Sequence, residues 1–382
     1  MVLGGPLYQL LIRIRATRPP VGLLYRRLLV LPVLAWLPLL VLSLLDGWAT
    51  GGVATPFLSD LATYARFLIA MPILILAEPF AHYRLRDVIH QFKECRVIPA
   101  AVIGDFDRAI ASAMKLRNSK WVEIAILILA FVVGPYALQQ ALLALGASAW
   151  HSNAEAGRLQ LTRAGWWFVH VSAPLFQFLL LRWYFRLLVW WRLLWQISRL
   201  PLELQAAHFD RAGGIGFLGY SVWGLMPVLF AQGVLMSGVI ANRVLGGIGT
   251  ASSYLAEITV LVAMLGISVI GPLFFFSHRM AATRRQSMRS YGALAAEHGV
   301  EFEGKWLRDR RPTDEALLGN PDFSSLADVA GGSDVVRQMK PFPFDMRVFI
   351  ELVAATAVPF LPLVLTEIPF SELVRRVLKM MV

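Results

Sequence analysis

Cysteine is all but missing from this chain. The single Cys95 excludes an intramolecular disulfide and any cysteine cluster for zinc or iron–sulfur. Charge is scarce too: 16% of residues are charged and 57% hydrophobic, where a soluble chain carries about a quarter charged. Catalytic signatures are also missing. There is no Walker loop, GxSxG elbow, kinase set, HExxH, CxxC or haem ligand pair, so no cofactor or metal is called for. The opening MVLGGPLYQLLIRIRATRPP lacks the basic, apolar and small-residue order of a signal peptide, so the first apolar run is expected to stay as an anchor.

The chain has instead seven long apolar runs, at Arg27–Leu45, Thr63–Phe80, Trp121–Ala144, Gly165–Phe185, Leu218–Ile240, Ile258–Phe276 and Val348–Thr366. Each approaches the roughly 20 residues a helix needs to cross about 30 Å of hydrocarbon. Only helices and closed barrels satisfy their backbone in lipid, and continuous apolar runs lack the alternation of a barrel strand. The fold class is therefore all-α: a polytopic transmembrane bundle of about seven proline-kinked spans with small helical cytoplasmic regions.

A formal net charge of +11 raises the question of nucleic acid, but the distribution answers it. Arg13, Arg15, Arg18, Arg26 and Arg27 precede or open the first span. Eight Lys or Arg lie in the loop Ala81–Lys120 and eleven in Ser277–Arg347. The intervening loops hold none at Asp46–Ala62, then Arg158 with Arg163, then Arg243. This is the positive-inside pattern, and it predicts a cytoplasmic amino terminus and cytoplasmic even-numbered loops. The partner is a lipid bilayer, with anionic lipid and a second copy of the chain as further candidates, and no nucleic acid.

The chain divides into residues 1–80 (amino-terminal segment and spans one and two), 81–120 (a cytoplasmic helical loop), 121–276 (spans three to six), 277–347 (a cytoplasmic region) and 348–382 (span seven and an amphipathic tail). Residues 5–18 read either as a surface amphipathic helix or as extended tail. In HYRLRDVIHQF and IGDFDRAIASAMKL, apolar residues recur at helical spacing, which predicts two amphipathic helices, the second capped by Asp105. Helix is expected to run from span six to Gly299. Short helices and turns should follow, packed on the first loop. The tail PFSELVRRVLKMMV is basic yet falls on the outer side of a seventh span. Either it is an interfacial helix outside, or a re-entrant turn at Pro359–Pro362 returns it.

Every span holds proline, and proline frees a carbonyl. Such carbonyls face a wet cavity in transporters, although membrane helices tolerate proline without one. Ionisable residues in spans are the default functional candidates. Glu78, Glu123 and Glu351 fall near cytoplasmic ends, Glu257 near an outer end, and His170 within about two turns of the outer face. Glu78 and His170 are candidates for a pathway. In LLLRWYFRLLVWWRLLWQISRL, Arg182 and Arg186 share a helix face. They read either as snorkelling residues in an aromatic belt or as an anion or lipid-phosphate site.

The turn HFDRAGGIGFLG, at 208–219, is the sharpest local motif. Gly213, Gly214 and Gly216 permit left-handed backbone before a helix amino end, where free amides favour an anion, and Arg211 adds a charged fork. His208 and Asp210 form either a hydrogen-bonded pair or two metal ligands, two being too few for a metal centre. The bland alternative is a tight turn with Asp210 as a local cap.

The run RWYFRLLVWWRLLWQISRLPLELQAAHFDRAGGIGFLG, with LGNPDFSSLADV and PLVLTEIPFSELV, resembles a family of uncharacterised bacterial polytopic inner-membrane proteins. The resemblance covers most of the chain, implies bacterial inner-membrane residence and brings no known activity. The sequence thus points first to a pore or carrier for a small ion or solute. Two alternatives stand: a scaffold or sensor binding a partner through residues 277–347, and an interfacial enzyme acting on a phosphate-bearing lipid through His208, Asp210 and Arg211.

Overall fold

A computed structural model describes residues 24–145, 149–155, 158–308 and 319–367. Among them are seven helices long and apolar enough to cross a membrane. The first is Leu24–Leu45, the second Leu61–Glu94 and the fourth Arg163–Ser198. The third runs through Lys120–Ile128, Leu129–Val133 and Gly134–Leu145. The fifth lies in Gly216–Leu245, the sixth in Ala251–Arg308 and the seventh in Met346–Val364. The ends of the bundle alternate, so one face gathers the basic loops of the sequence and the other the poorly charged ones.

Several helices run well past the bilayer. HYRLRDVIHQF is not a separate helix. It continues the second span to Glu94, because nothing in it breaks a helix after Pro79. Its apolar side is buried as the spacing predicts: Phe92 meets Phe106, Phe217 and Phe276 with ring centroids 5.8, 5.0 and 6.3 Å away. The helix Ile103–Arg117 follows, but Asp105 lies inside its first turn, paired with Arg108, and Val102 stands at the cap. The sixth span continues without a break to Glu303, beyond Gly299. The segment Pro321–Arg337 is a single helix, capped by the Asn320 side chain, rather than several short ones. It packs mainly back on Ser277–Glu303, with Tyr291 against Gly332. One feature has no counterpart in the sequence reading: a β-hairpin pairing Ser152–Glu155 with Arg158–Leu161. The seventh span stays helical through Pro359 and Pro362, so its described residues form no re-entrant turn there. Residues 5–18 and 371–382 lie outside the described residues.

Proline shapes the spans in two ways. Its ring clashes with the carbonyl four residues back. In the second, third and fourth spans that carbonyl belongs to Leu68, Phe131 and His170. All three sit in wide π-helical turns, Ala65–Ala70, Leu129–Val133 and Phe168–Ser172, just before Pro72, Pro135 and Pro174. A π turn opens the space the ring needs. Elsewhere neighbouring side chains meet the freed carbonyls. Trp191 donates its indole N–H to Ser268 (2.7 Å), four residues before Pro272. Trp167 reaches Leu34 (3.4 Å), four before Pro38, and the Ser172 hydroxyl donates to Ala35 (2.6 Å). These carbonyls serve interhelical packing rather than a wet cavity.

The fifth span is the centre of the bundle, and small residues let its neighbours approach. A Cβ on Gly233 would lie 2.3 Å from the Thr356 carbonyl, and one on Gly238 2.6 Å from Ala65 Cβ. Lipid offers no hydrophobic drive between helices, so such close contact supplies the attraction. Gly233→Ala and Gly238→Ala should each lower the melting temperature of the purified protein. Gly292→Ala, whose Cβ meets nothing within 4 Å, should leave it unchanged or raise it by relieving the helix penalty of glycine. A thermal melt of the three variants in one detergent decides the matter.

Candidate functional site

The site forms where the first, second and fourth spans meet at the basic face. Glu78 is 3% exposed. It accepts from Arg27 Nη1 at 2.9 Å and from Arg186 Nη2 at 2.8 Å. Arg186 is itself buried and lies 4.9 Å over the Trp183 ring. Trp183 donates its indole N–H to the Leu74 carbonyl at 3.0 Å, which fixes the fourth span on the second one turn from Glu78. Arg182, one turn before Arg186, lies 5.6 Å over Phe178. Arg117, Arg182, Arg186 and Glu123, with Ser119, Ile126 and Phe185, line a cavity of about 30 Å³. That is the space of one water or a small ion. Arg186 Nη1 is buried there without a hydrogen-bond partner. Three arginines and Glu123 thus surround this one small cavity.

Arg182 and Arg186 do share a face, and for Arg186 that face is the protein interior. The snorkelling reading therefore fails for Arg186. Glu78 is the fixed counter-charge of this cluster rather than a free group on a pathway. His170 sits apart, stacked on Trp166 (4.8 Å), with Nδ1 3.0 Å from the Trp166 carbonyl. It bonds to its own helix and lines none of the cavities described here.

At the glycine turn the structure takes the local-cap alternative over the external anion site. Gly213 and Gly214 take the left-handed backbone expected of them, with φ of 72° and 87°, and Arg211 joins them at 54°. Gly216 does not; it opens a tight turn of 3-10 helix. The amides do hold an anion, and it is the protein's own. Asp210 accepts from Ala212 (2.8 Å), Gly214 (3.1 Å) and Gly216 (2.9 Å). His208 Nδ1 lies 2.8 Å from the same carboxylate, making the hydrogen-bonded pair. The Arg211 side chain is exposed, while its carbonyl accepts from the Lys340 amide at 2.7 Å and so ties down the chain just after the helix Pro321–Arg337. No free phosphate cradle is left. Among the described residues, no group of three or more His, Cys, Asp or Glu is placed to hold a metal ion.

A second polar centre lies towards the opposite face, and the sequence reading passed it by. Asp60 is 8% exposed and accepts from Thr63 N and Oγ1, Trp150 Nε1 and Asn242 Nδ2 at 3.2, 2.6, 2.9 and 2.6 Å. Arg66 follows six residues later, inside the second span. A lone arginine in LATYARFLIAMPILILA was the available signal.

The architecture defines a multi-pass helical membrane protein. No protein-family model, curated protein or solved structure matches the chain.

Asp210 gives the turn a pH dependence. Burial pushes its carboxyl up, but the amides of Ala212, Gly216 and Gly214 and the His208 ring outweigh this and hold it below the ordinary value of 3.8. The fold binds the ionised form. Its contribution is therefore complete at neutral pH and is lost as pH falls through the depressed value. Asp210→Asn should cost about 1–3 kcal/mol at pH 7. The gap to wild type should close as the solution is acidified below pH 3.8. Equilibrium unfolding at several pH values measures both, and a gap independent of pH would reject the ionised cap.

Proposed function

We propose that the protein is a carrier or gated pore for a small anion in a bacterial inner membrane, with its amino terminus in the cytoplasm. The observation that carries this reading is the cavity shared by Arg117, Arg182 and Arg186, in which Arg186 keeps an unbonded buried N–H group. An unbonded guanidinium N–H of Arg186 facing a small cavity inside a span favours a small anion there. Between this cavity and the Arg66 region the bundle is packed by buried Phe67, Leu74, Phe176, Leu179 and Trp183. Under this reading the described conformation is closed. The bacterial inner membrane rests on the family resemblance, and the orientation on the basic loops.

Two of the sequence alternatives fare differently. The lipid-phosphate enzyme loses its anion cradle to Asp210. The scaffold reading keeps one support: the helix Ser277–Glu303 and the turn Gly304–Arg308 after it expose Leu294, Val300 and Leu307 at 51, 72 and 72%.

Purified protein in liposomes should pass chloride or nitrate in preference to potassium. Paired Arg182→Gln and Arg186→Gln should reduce anion flux about tenfold or more and erase the preference, while Lys at both positions restores part of it. Unchanged selectivity in the folded Gln pair would end the anion reading.

Orientation is tested separately. Cys95 is exposed on the basic face. A membrane-impermeant maleimide should fail to label it in intact cells and should label it after permeabilisation. Efficient labelling of intact cells would reverse the topology.

A further inference from the structure

We propose that the cavity beside Arg66 is a binding site for a ligand carrying one negative charge on an apolar body. The cavity holds about 340 Å³, far more than the share of one water at about 30 Å³. It lies between the third, fourth, fifth and sixth spans, with Arg66 of the second at its edge. It is separate from the small arginine cavity, and it stands whether or not the protein conducts.

The Arg66 guanidinium makes no hydrogen bond or ion pair among the described residues. Its contacts are the faces of Phe67 and Phe168, with centroids 5.9 and 5.6 Å away. Asp60, the nearby acid, attracts Arg66 from beyond ion-pair distance, while its own hydrogen bonds come from Thr63, Trp150 and Asn242. Aromatic faces stabilise a cation but do not neutralise it. A guanidinium inside a span is costly while its N–H groups lack acceptors, so the cavity has room for an anion and Arg66 has unbonded donors to offer it.

The walls define the rest of the ligand. Gln177 and Gln232 supply the amides; Gln232 donates to Tyr184 at 2.8 Å, which holds its side chain in place. The remaining lining, including Phe176, Met236 and Leu261, is apolar. One cation matches one negative charge, and a dianion would leave the second charge against hydrocarbon walls. The charge can be the carboxylate of a soluble organic acid or the phosphodiester of a membrane lipid. The chemistry at Arg66 is shared: a two-oxygen anion facing a planar fork.

The test uses the full chain in phosphatidylcholine nanodiscs. Benzoate is the soluble probe, with benzyl alcohol and benzylamine as neutral and cationic counterparts, read by saturation-transfer NMR against empty nanodiscs. Wild type should bind benzoate in preference to both counterparts. Arg66→Gln should weaken it about tenfold or more, and Arg66→Lys should keep part of it. Leu180→Trp keeps the charge and fills the cavity, so it should also abolish binding; it serves where Arg66→Gln does not fold. Native mass spectrometry after reconstitution with phosphatidylglycerol reads the lipid source. Phosphatidylglycerol retained by wild type, lost in either variant and not displaced by benzoate, would assign the charge to a lipid. Benzyl alcohol binding as tightly as benzoate would overturn the proposal. So would benzoate and phosphatidylglycerol binding that neither Arg66→Gln nor Leu180→Trp alters, or no binding of either by wild type.

Discussion

The bond on which the rest of this bundle depends is the double engagement of Glu78. A carboxylate at that depth is costly unless cations and hydrogen bonds meet it. Arg27 of the first span and Arg186 of the fourth meet it from two sides at 2.9 and 2.8 Å. The ion group therefore fixes three spans at once. It also sets the rotation of the fourth, because Arg186 can reach Glu78 only when that face turns inward. Arg182, one turn away, is then carried towards Glu123 and Arg117. The small cavity is a consequence of this rotation, not an independent construction.

The prolines make the same point from the backbone side. A proline in a span opens a backbone group that must be satisfied inside the membrane. In this chain π turns absorb that demand before three prolines and tryptophan indoles meet it before two more. Trp183, Trp191 and Trp167 each lay an apolar ring between helices and end in one N–H on a carbonyl. The aromatic residues of the fourth span that read as an interfacial belt include two, Trp183 and Trp191, that work as interhelical ties. Trp190 is buried as well.

Much of the fold was legible because a bilayer imposes one rule on every span. An apolar run near 20 residues reports itself without knowledge of its neighbours. What lies beyond the bilayer was less legible. The second and sixth spans continue as helices into polar sequence, where hydropathy no longer marks them. The site was half legible. The four-residue spacing of Arg182 and Arg186 was visible, but Glu78 lies over a hundred positions away in sequence, and a shared contact at that range leaves no local trace. The glycine turn shows the opposite failure. Its left-handed glycines were readable, and so was the ligand: an Asp two residues before a free amide bonds its own backbone. The local chemistry of DRAGG already contained the anion that an external phosphate would have supplied.

Arg66 shows what a sequence count of charges conceals. In number it is one more arginine in a basic protein. In place it lies in a span, on the opposite half of the bundle from Glu78, and the acid six residues before it attracts it without pairing with it. The two centres thus differ in kind. Arg186 is held by a permanent carboxylate and keeps only one N–H unbonded. Arg66 touches aromatic faces, feels Asp60 only from a distance, and borders a cavity about ten times larger. A cation fixed by its own counter-ion shapes the protein. A cation left to rings and space selects what enters, and that difference makes the Arg66 cavity the better place to look for a bound molecule.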